Sequence, residues 1–268
     1  MTKVWFITGC SSGFGLELVK QLSEKGEYVV ATARKPELIP KHQNILPLQL
    51  DVTNNIQIKE TIKNALEWKG KIDILINNAG FGSIGSIEGT PVEVYRSMFE
   101  TNVFGLLNVT KEFLPHFRAK KSGTIVNISS IAGIRSTPGL GPYCSSKFAV
   151  EAISEALYNE VEPFNIKVMI VEPGPFRTKF SGNLDVSEDI PDYDEVTSRV
   201  KSFVLDISTN GKGNPTKAAS AIIQAASMDN PPLRLPLGNW AVDGIIEKGI
   251  LLTKQAVENE KLSRETDD

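Results

Sequence analysis

Residues 8–15 read TGCSSGFG, directly after the apolar run VWFI at 4–7 and directly before a segment with Leu16, Val19 and Leu22 at helical spacing. A glycine-rich turn between a buried strand and a helix presents backbone N–H groups to a phosphate, and the helix N-terminus favours its negative charge. Gly9 permits the tight turn, Gly13 a close backbone approach, and Gly15 the packing of helix against strand. The spacing is GxxxGxG rather than GxGxxG. The letters Gly9 to Gly13 also fit GxSxG, the turn that carries a hydrolase nucleophile. That reading needs an acid and then a histidine downstream, and neither His42 nor His116 stands in a suitable place.

Outward from this turn, short β-branched runs recur at 28–33 (YVVATA), 45–50 (ILPLQL), 72–77 (IDILIN), 124–129 (TIVNIS) and 167–172 (KVMIVE). They are nearly all apolar rather than alternating, as strands buried on both faces are. Helical spacing fills the intervals, as with Ile56, Ile62 and Leu66. The β-α repetition predicts an α/β chain with a Rossmann-type doubly wound parallel sheet of about seven strands and helices on both faces. A helix over 215–228 and a final strand within PPLRLPLG at 231–238 complete it.

Residues 175–213 break the rhythm. DVSEDIPDYDE at 185–195 is acidic and carries proline, with a short helix expected over 196–205. A long excursion of this kind reads as a substrate lid, with a disordered linker as the alternative. The polar end ENEKLSRETDD at 258–268 is expected to fray. All of this fits one domain, 1–268.

Composition narrows the chemistry. Of 268 residues 41% are hydrophobic and 23% charged, enough for a large core, and the net charge of −3 gives no general attraction for nucleic acid or an anionic membrane. Two histidines and two cysteines, Cys10 and Cys144, leave almost nothing for a zinc site or a disulfide framework. The apolar run after Lys3 is too short for a signal-peptide core, so the chain is expected to be cytoplasmic. The sequons at Asn108 and Asn127 are therefore set aside.

The second strand ends in Ala33-Arg34, where an Asp or Glu would hold the hydroxyls of an adenosine ribose. A small residue followed by a guanidinium instead suits a 2′-phosphate, which selects NADP(H) over NAD; Lys35 beside it can share the role.

The segment 141–162, GPYCSSKFAVEAISEALYNEVE, reads as a long helix that starts with Tyr143 and Lys147 on one face, four residues apart. A phenol is too weak an acid for proton exchange near neutrality, and a neighbouring ammonium would lower its pKa. The preceding strand ends in Ser129-Ser130 at the carboxyl edge of the sheet, where open α/β folds place their sites. Ser130 could donate to a substrate oxygen, Ser129 would point to the other side, and either could merely cap the turn.

With these residues assembled, the chain resembles the short-chain dehydrogenase/reductase superfamily in its single-domain branch, strongly over 3–180 and more weakly over 215–240. TGCSSGFG resembles that branch's glycine loop, Asp51-Val52 its adenine-side acid, NNAG at 77–80 its strand-four motif, and PGPFRT at 173–178 its nicotinamide motif. Asn102, Ser130, Tyr143 and Lys147 occupy the catalytic positions. The resemblance implies that Tyr143 exchanges the proton and that Lys147 lowers its pKa and holds the nicotinamide ribose. It further implies that Ser130 polarises the substrate oxygen and that Asn102 holds a water leading toward Lys147.

For the cofactor, the resemblance implies contacts from Gly9, Ser11, Ser12, Gly13, Phe14 and Gly15, with Ser12 assisting the 2′-phosphate beside Arg34. Asp51 and Val52 would bind around the adenine, Asn78, Ala79 and Gly80 would line the floor, and Pro173, Gly174, Phe176 and Thr178 would surround the nicotinamide. TGCSSGFG and YCSSKFA are most similar to the retinol- and hydroxysteroid-dehydrogenase-like group.

The expected function is a metal-free NADP(H)-dependent oxidoreductase acting on a ketone, aldehyde or secondary alcohol. The apolar residues around the lid, Phe176, Phe180, Phe203, Val204 and Leu205, point to a fairly hydrophobic substrate, while Trp240 and Tyr95 read as packing residues. An NAD-linked alcohol or hydroxysteroid dehydrogenase and a non-catalytic NADP(H)-sensing protein are the alternatives. Similar proteins form homodimers or homotetramers.

Overall fold

Side chains in the central strands alternate between two apolar layers, and that alternation positions everything else. In the computed structural model, which describes residues 2–178, 180, 184–187 and 190–267, β1 (Val4–Ile7) sends Trp5 and Ile7 into one layer and Val4 and Phe6 into the other. The first layer is closed by α1 (Gly13–Glu24) and α7 (Pro215–Ala226), through Leu18, Val19, Leu22, Ala219 and Ile222. The second is closed by α2 (Asn55–Lys69), α4 (Leu106–Lys120) and α5 (Gly141–Val161), through Ile58, Ile62, Val109, Phe113 and Leu157. Phe113 packs edge-on to Phe6 and stacks on Phe117; burying one such ring contributes roughly 1.5–3 kcal/mol.

The remaining strands of the main sheet are β2 (Tyr28–Ala33), β3 (Ile45–Gln49), β4 (Ile74–Asn77), β6 (Gly123–Ile128), β7 (Ile166–Pro173) and β9 (Arg234–Leu237). Seven parallel strands run in the order β3-β2-β1-β4-β6-β7-β9, with Trp5 paired to Val29 on one side and to Ile74 on the other. The strand order reverses between β1 and β4, so a crevice opens at their carboxyl ends. The predicted Rossmann-type sheet is present, with helices on both faces.

Local signals set the helix ends. Asn54 accepts from the N–H groups of Ile56 and Gln57 at the start of α2, and Gly70 ends that helix with φ 72°. Asn214 caps α7 in the same way, with Pro215 in its first turn. Before α4, α3 (Val92–Phe99) runs into a π-helical turn at Glu100–Gly105, which carries Asn102 into the interior. Such turns frequently mark functional positions.

The excursion at 175–213 is fastened to the body. Phe176 bridges to Gly213 at its base, and Arg177 donates to the carbonyl of Gly211 at 2.6 Å. A two-stranded sheet joins β5 (Ser83–Ile84) to β8 (Asp185–Val186), and the Tyr193 hydroxyl donates to Glu88 at 2.7 Å. The helix expected over 196–205 is longer, α6 (Asp194–Asn210). Positions 179, 181–183 and 188–189 of the expected lid lie outside the described residues.

Two differences concern the C-terminus. After β9 the chain forms α8 (Asn239–Glu258), a helix not expected from the sequence, which buries only Ala241 and Gly244. The tail expected to fray carries a short exposed helix, α9 (Glu260–Arg264), whose Arg264 pairs with Glu260 one turn earlier. Among the described residues no helix is long and apolar enough to cross a membrane.

Candidate active site

The glycine turn is built by residues from two strands. Thr8 Oγ1 accepts from the backbone N–H groups of Asn78 and Ala79, both at 2.9 Å, so the ends of β1 and β4 are held together. Asn78 Nδ2 returns bonds to the carbonyls of Thr8 and Gly9 at 2.8 and 3.0 Å. A Cβ on Gly15 would collide with the Gly9 carbonyl oxygen and stand 2.6 Å from Asn78 Nδ2. A Cβ on Gly13, where φ is +57°, would stand 3.7 Å from Thr178 Cβ. Ser12 begins α1 without using its hydroxyl as a cap, leaving it available to a ligand.

A cleft of about 1320 Å³ runs from this turn across the carboxyl edge of the sheet. Every position expected to contact the cofactor lines it, apart from Gly15, which serves packing. At the adenine end, Arg34 makes no ion pair with any described residue and has Lys35 beside it. Asp51 Oδ1 accepts from the N–H and hydroxyl of Thr53 at 3.0 and 2.8 Å, which orients the carboxylate beside Val52. At the other end Phe14 packs edge-on to Phe176 at 5.2 Å, and Phe176 in turn adjoins Gly213 and Gly238. A chain of phosphate-turn N–H groups, an orienting acid and a guanidinium along one cleft fits a dinucleotide.

Ser130, Tyr143 and Lys147 meet on the sheet side of the cleft. Ser130 accepts from the N–H of Ala132 at 3.1 Å, so it caps the short turn at Ile131–Gly133; its Oγ reaches the Pro173 carbonyl at 3.4 Å, and it lies beside the Tyr143 phenol. Lys147 Nζ donates to the Ile128 carbonyl at 2.7 Å and stands 5.8 Å from the Tyr143 ring centroid. Asn102 accepts from the Phe81 N–H at 3.0 Å and donates to the Phe81 carbonyl and to Ser146 Oγ, which fixes it beside Gly80 and Lys147.

The expected lowering of the Tyr143 pKa by Lys147 is not what the structure shows. Burial in the cleft pushes the phenol above its ordinary value, and only the Ser130 hydrogen bond draws it back. Lys147 is itself pushed down to about 8 by desolvation, against an opposing pull from Glu151. Tyr143 is therefore a protonated group near neutrality, suited to giving a proton to a substrate oxygen.

The rest of the cleft lies under the lid. Leu140, Phe180, Leu184, Val200, Val204 and Ile207 line it, and Phe180 packs on Tyr143 at 5.3 Å. Trp240, read from the sequence as a packing residue, also lines the cleft and stacks on Phe203 at 5.4 Å. Arg135 and Arg199 were missed as well. Both line this end, Arg135 bound to Glu247 at 2.8 Å, and no carboxylate lines it among the described residues. No local motif marks these positions, because they come from a loop, from α6 and from α8. His116 accepts from the Ile72 N–H at 3.2 Å, just before β4 and at the opposite edge of the sheet from the glycine turn, far from any hydrolase role there.

Comparison with known proteins agrees with this geometry. The short chain dehydrogenase family profile matches residues 3–189. The chain is 41% identical over 240 residues to a 3-ketodihydrosphingosine reductase of Bacteroides thetaiotaomicron, covering 88% of each chain. A short-chain dehydrogenase structure from Streptomyces avermitilis superposes with TM-score 0.92 at 38% identity over 100% of both chains. A short chain dehydrogenase from Burkholderia cenocepacia, solved in complex with NADP, superposes with TM-score 0.75 at 26% identity over 97% of both.

Proposed function

The chain belongs to the short chain dehydrogenase family, and from that premise we propose that it is an NADP(H)-dependent reductase of hydrophobic ketones or aldehydes. The observation that carries this reading is the juxtaposition of a protonated, half-buried Tyr143 with Ser130 at the junction of the nucleotide cleft and the apolar space under the lid. When bound, the nicotinamide supplies the hydride that adds to the carbonyl carbon. Ser130 and Tyr143 hold the carbonyl oxygen, and the Tyr143 Oη proton passes to it as negative charge develops. The resulting phenolate has Ser130 beside it and the Lys147 ammonium 5.8 Å from its ring, and Asn102 keeps the backbone at Phe81 fixed against that group.

The relative named for 3-ketodihydrosphingosine reduction supports a long-chain ketone as substrate. The cleft adds a preference for head-group charge. With Arg199 at its lid end, ketones of equal chain length are expected to be used better when they carry a carboxylate than when they are uncharged. Arg199→Glu is expected to narrow or reverse that order by about tenfold in kcat/KM.

The test of the overall reading is a panel of apolar ketones and aldehydes with NADPH or NADH, followed at the nicotinamide absorbance. Turnover is expected with NADPH preferred. Arg34→Asp is expected to raise the KM for NADPH by at least tenfold while that for NADH changes little, through loss of a charge-assisted phosphate contact. Equal effects on both cofactors would remove the 2′-phosphate argument, and tight NADPH binding without turnover would favour a sensing protein.

A further inference from the structure

Tyr143, Lys147, Glu151 and Glu155 follow one another at four-residue intervals along α5, so the face that carries the catalytic pair continues away from the cleft into a cluster of acids. Its inner members are buried, Glu172 on β7 with no exposure and Glu151 with 5%, while Glu155 is exposed. Arg234, on β9, binds all three carboxylates, donating to Glu151 at 2.7 Å, to Glu155 at 2.5 Å and to Glu172. One guanidinium does not satisfy this set. Glu151 Oε1, Glu172 Oε2 and Ser129 Oγ are all buried without a hydrogen bond of good geometry. Orphaned polar atoms of this kind carry a substantial desolvation penalty, and a native structure that keeps three together calls for a reason.

Their place in the fold supplies one. A Cβ on Gly133 would touch Ser129 Oγ at 2.8 Å, Glu151 Cγ at 2.9 Å and the Lys147 carbonyl at 3.0 Å, so the cluster abuts the loop that follows Ser130. Resting on the reductase reading above, we infer that Glu151 is a positioning residue that keeps Lys147 in its charged form, with Glu172 and Arg234 setting how much charge Glu151 carries. Glu151 is faced by Lys147 and Glu155 on its own helix, by Ser129 after β6, by Glu172 from β7 and by Arg234 from β9.

The directions are consistent with that role. Burial raises the pKa of Glu151, while Ser129 and Arg234 lower it. Burial and the neighbouring Glu151 raise Glu172 to about 7, so Glu172 changes its charge near neutrality beside Glu151. Desolvation lowers Lys147, and the Glu151 charge opposes it. Removing the Glu151 charge therefore lets Lys147 lose its proton at a lower pH. Removing Glu172 leaves Arg234 to Glu151 and Glu155, so Glu151 ionises more fully and Lys147 gains support.

The test is a pH titration of Lys147 by side-chain NMR of lysine-labelled protein without added cofactor, with the resonance assigned by Lys147→Arg, alongside the pH profile of kcat. Glu151→Gln is expected to lower the Lys147 midpoint and the alkaline limb of kcat together, by roughly half a pH unit or more, while Glu172→Gln lowers neither. In the native chain the same resonance is expected to show a second, smaller inflection near pH 7 as Glu172 takes up its proton, a readout that holds even if Glu151→Gln fails to fold. An unmoved midpoint in Glu151→Gln, an equal fall in Glu172→Gln, or no second inflection overturns the inference. The NMR readout needs no turnover, so absence of ketone reduction would count against the reductase reading and not against this coupling.

Discussion

Tyr143→Phe is expected to lower kcat by about 10²–10⁴-fold while leaving NADPH affinity within a few-fold of the native value. The ring contributes packing against Phe180 at 5.3 Å, and phenylalanine keeps that contact. What is lost is the one proton donor beside Ser130 whose acidity burial has already weakened, so that it stays protonated at neutral pH. Steady-state kinetics with an apolar ketone and a separate NADPH titration by fluorescence check both halves. Retained turnover would remove Tyr143 from the reaction, and a large loss of NADPH binding would make it a cofactor ligand instead.

Gly15→Ala is expected to have the largest effect on the cofactor end. A methyl group there must displace either the Gly9 carbonyl or Asn78, whose Nδ2 joins β4 to the glycine turn through two hydrogen bonds. Overpacking of this kind costs roughly 1–3 kcal/mol, and loss of the buried bonds adds to it. A fall in thermal midpoint of several degrees and a loss of NADPH affinity of at least tenfold are expected, measured by calorimetry on the free and NADPH-saturated protein. A variant with native stability and native affinity would show that the turn does not need close packing of α1 on β1.

The parallel sheet was legible because its strands are buried on both faces, so runs such as Val29 to Ala31 and Val168 to Val171 contain almost no polar residue. The glycine turn and the Tyr143/Lys147 pair were legible because each is a local pattern with a physical reason for its spacing. The acid cluster was not. Glu151, Glu172 and Arg234 come from α5, β7 and β9, and nothing in their separate surroundings signals that they converge. Trp240 and Arg199 were hidden for the same reason, since a lid residue and the start of a terminal helix meet at the cleft only after folding.

Helix α8 shows a different limit. Ile246, Ile250, Leu252 and Val257 are half or more exposed, so its apolar residues do not mark an internal face as they do in α4. The Tyr143 acidity was misjudged because a four-residue spacing places Lys147 on the same side of α5 without saying that its Nζ reaches the Ile128 carbonyl. Burial then dominates over a charge held 5.8 Å from the ring.

Hydride transfer is tested most directly with NADPH dideuterated at the nicotinamide C4 and a long-chain apolar ketone, read by mass spectrometry of the product. An alcohol carrying one deuterium at the former carbonyl carbon is expected, formed in step with NADPH oxidation and slowed about 10²–10⁴-fold in Tyr143→Phe. An unlabelled alcohol, or NADPH bound with no alcohol formed from any ketone of the panel, would contradict it.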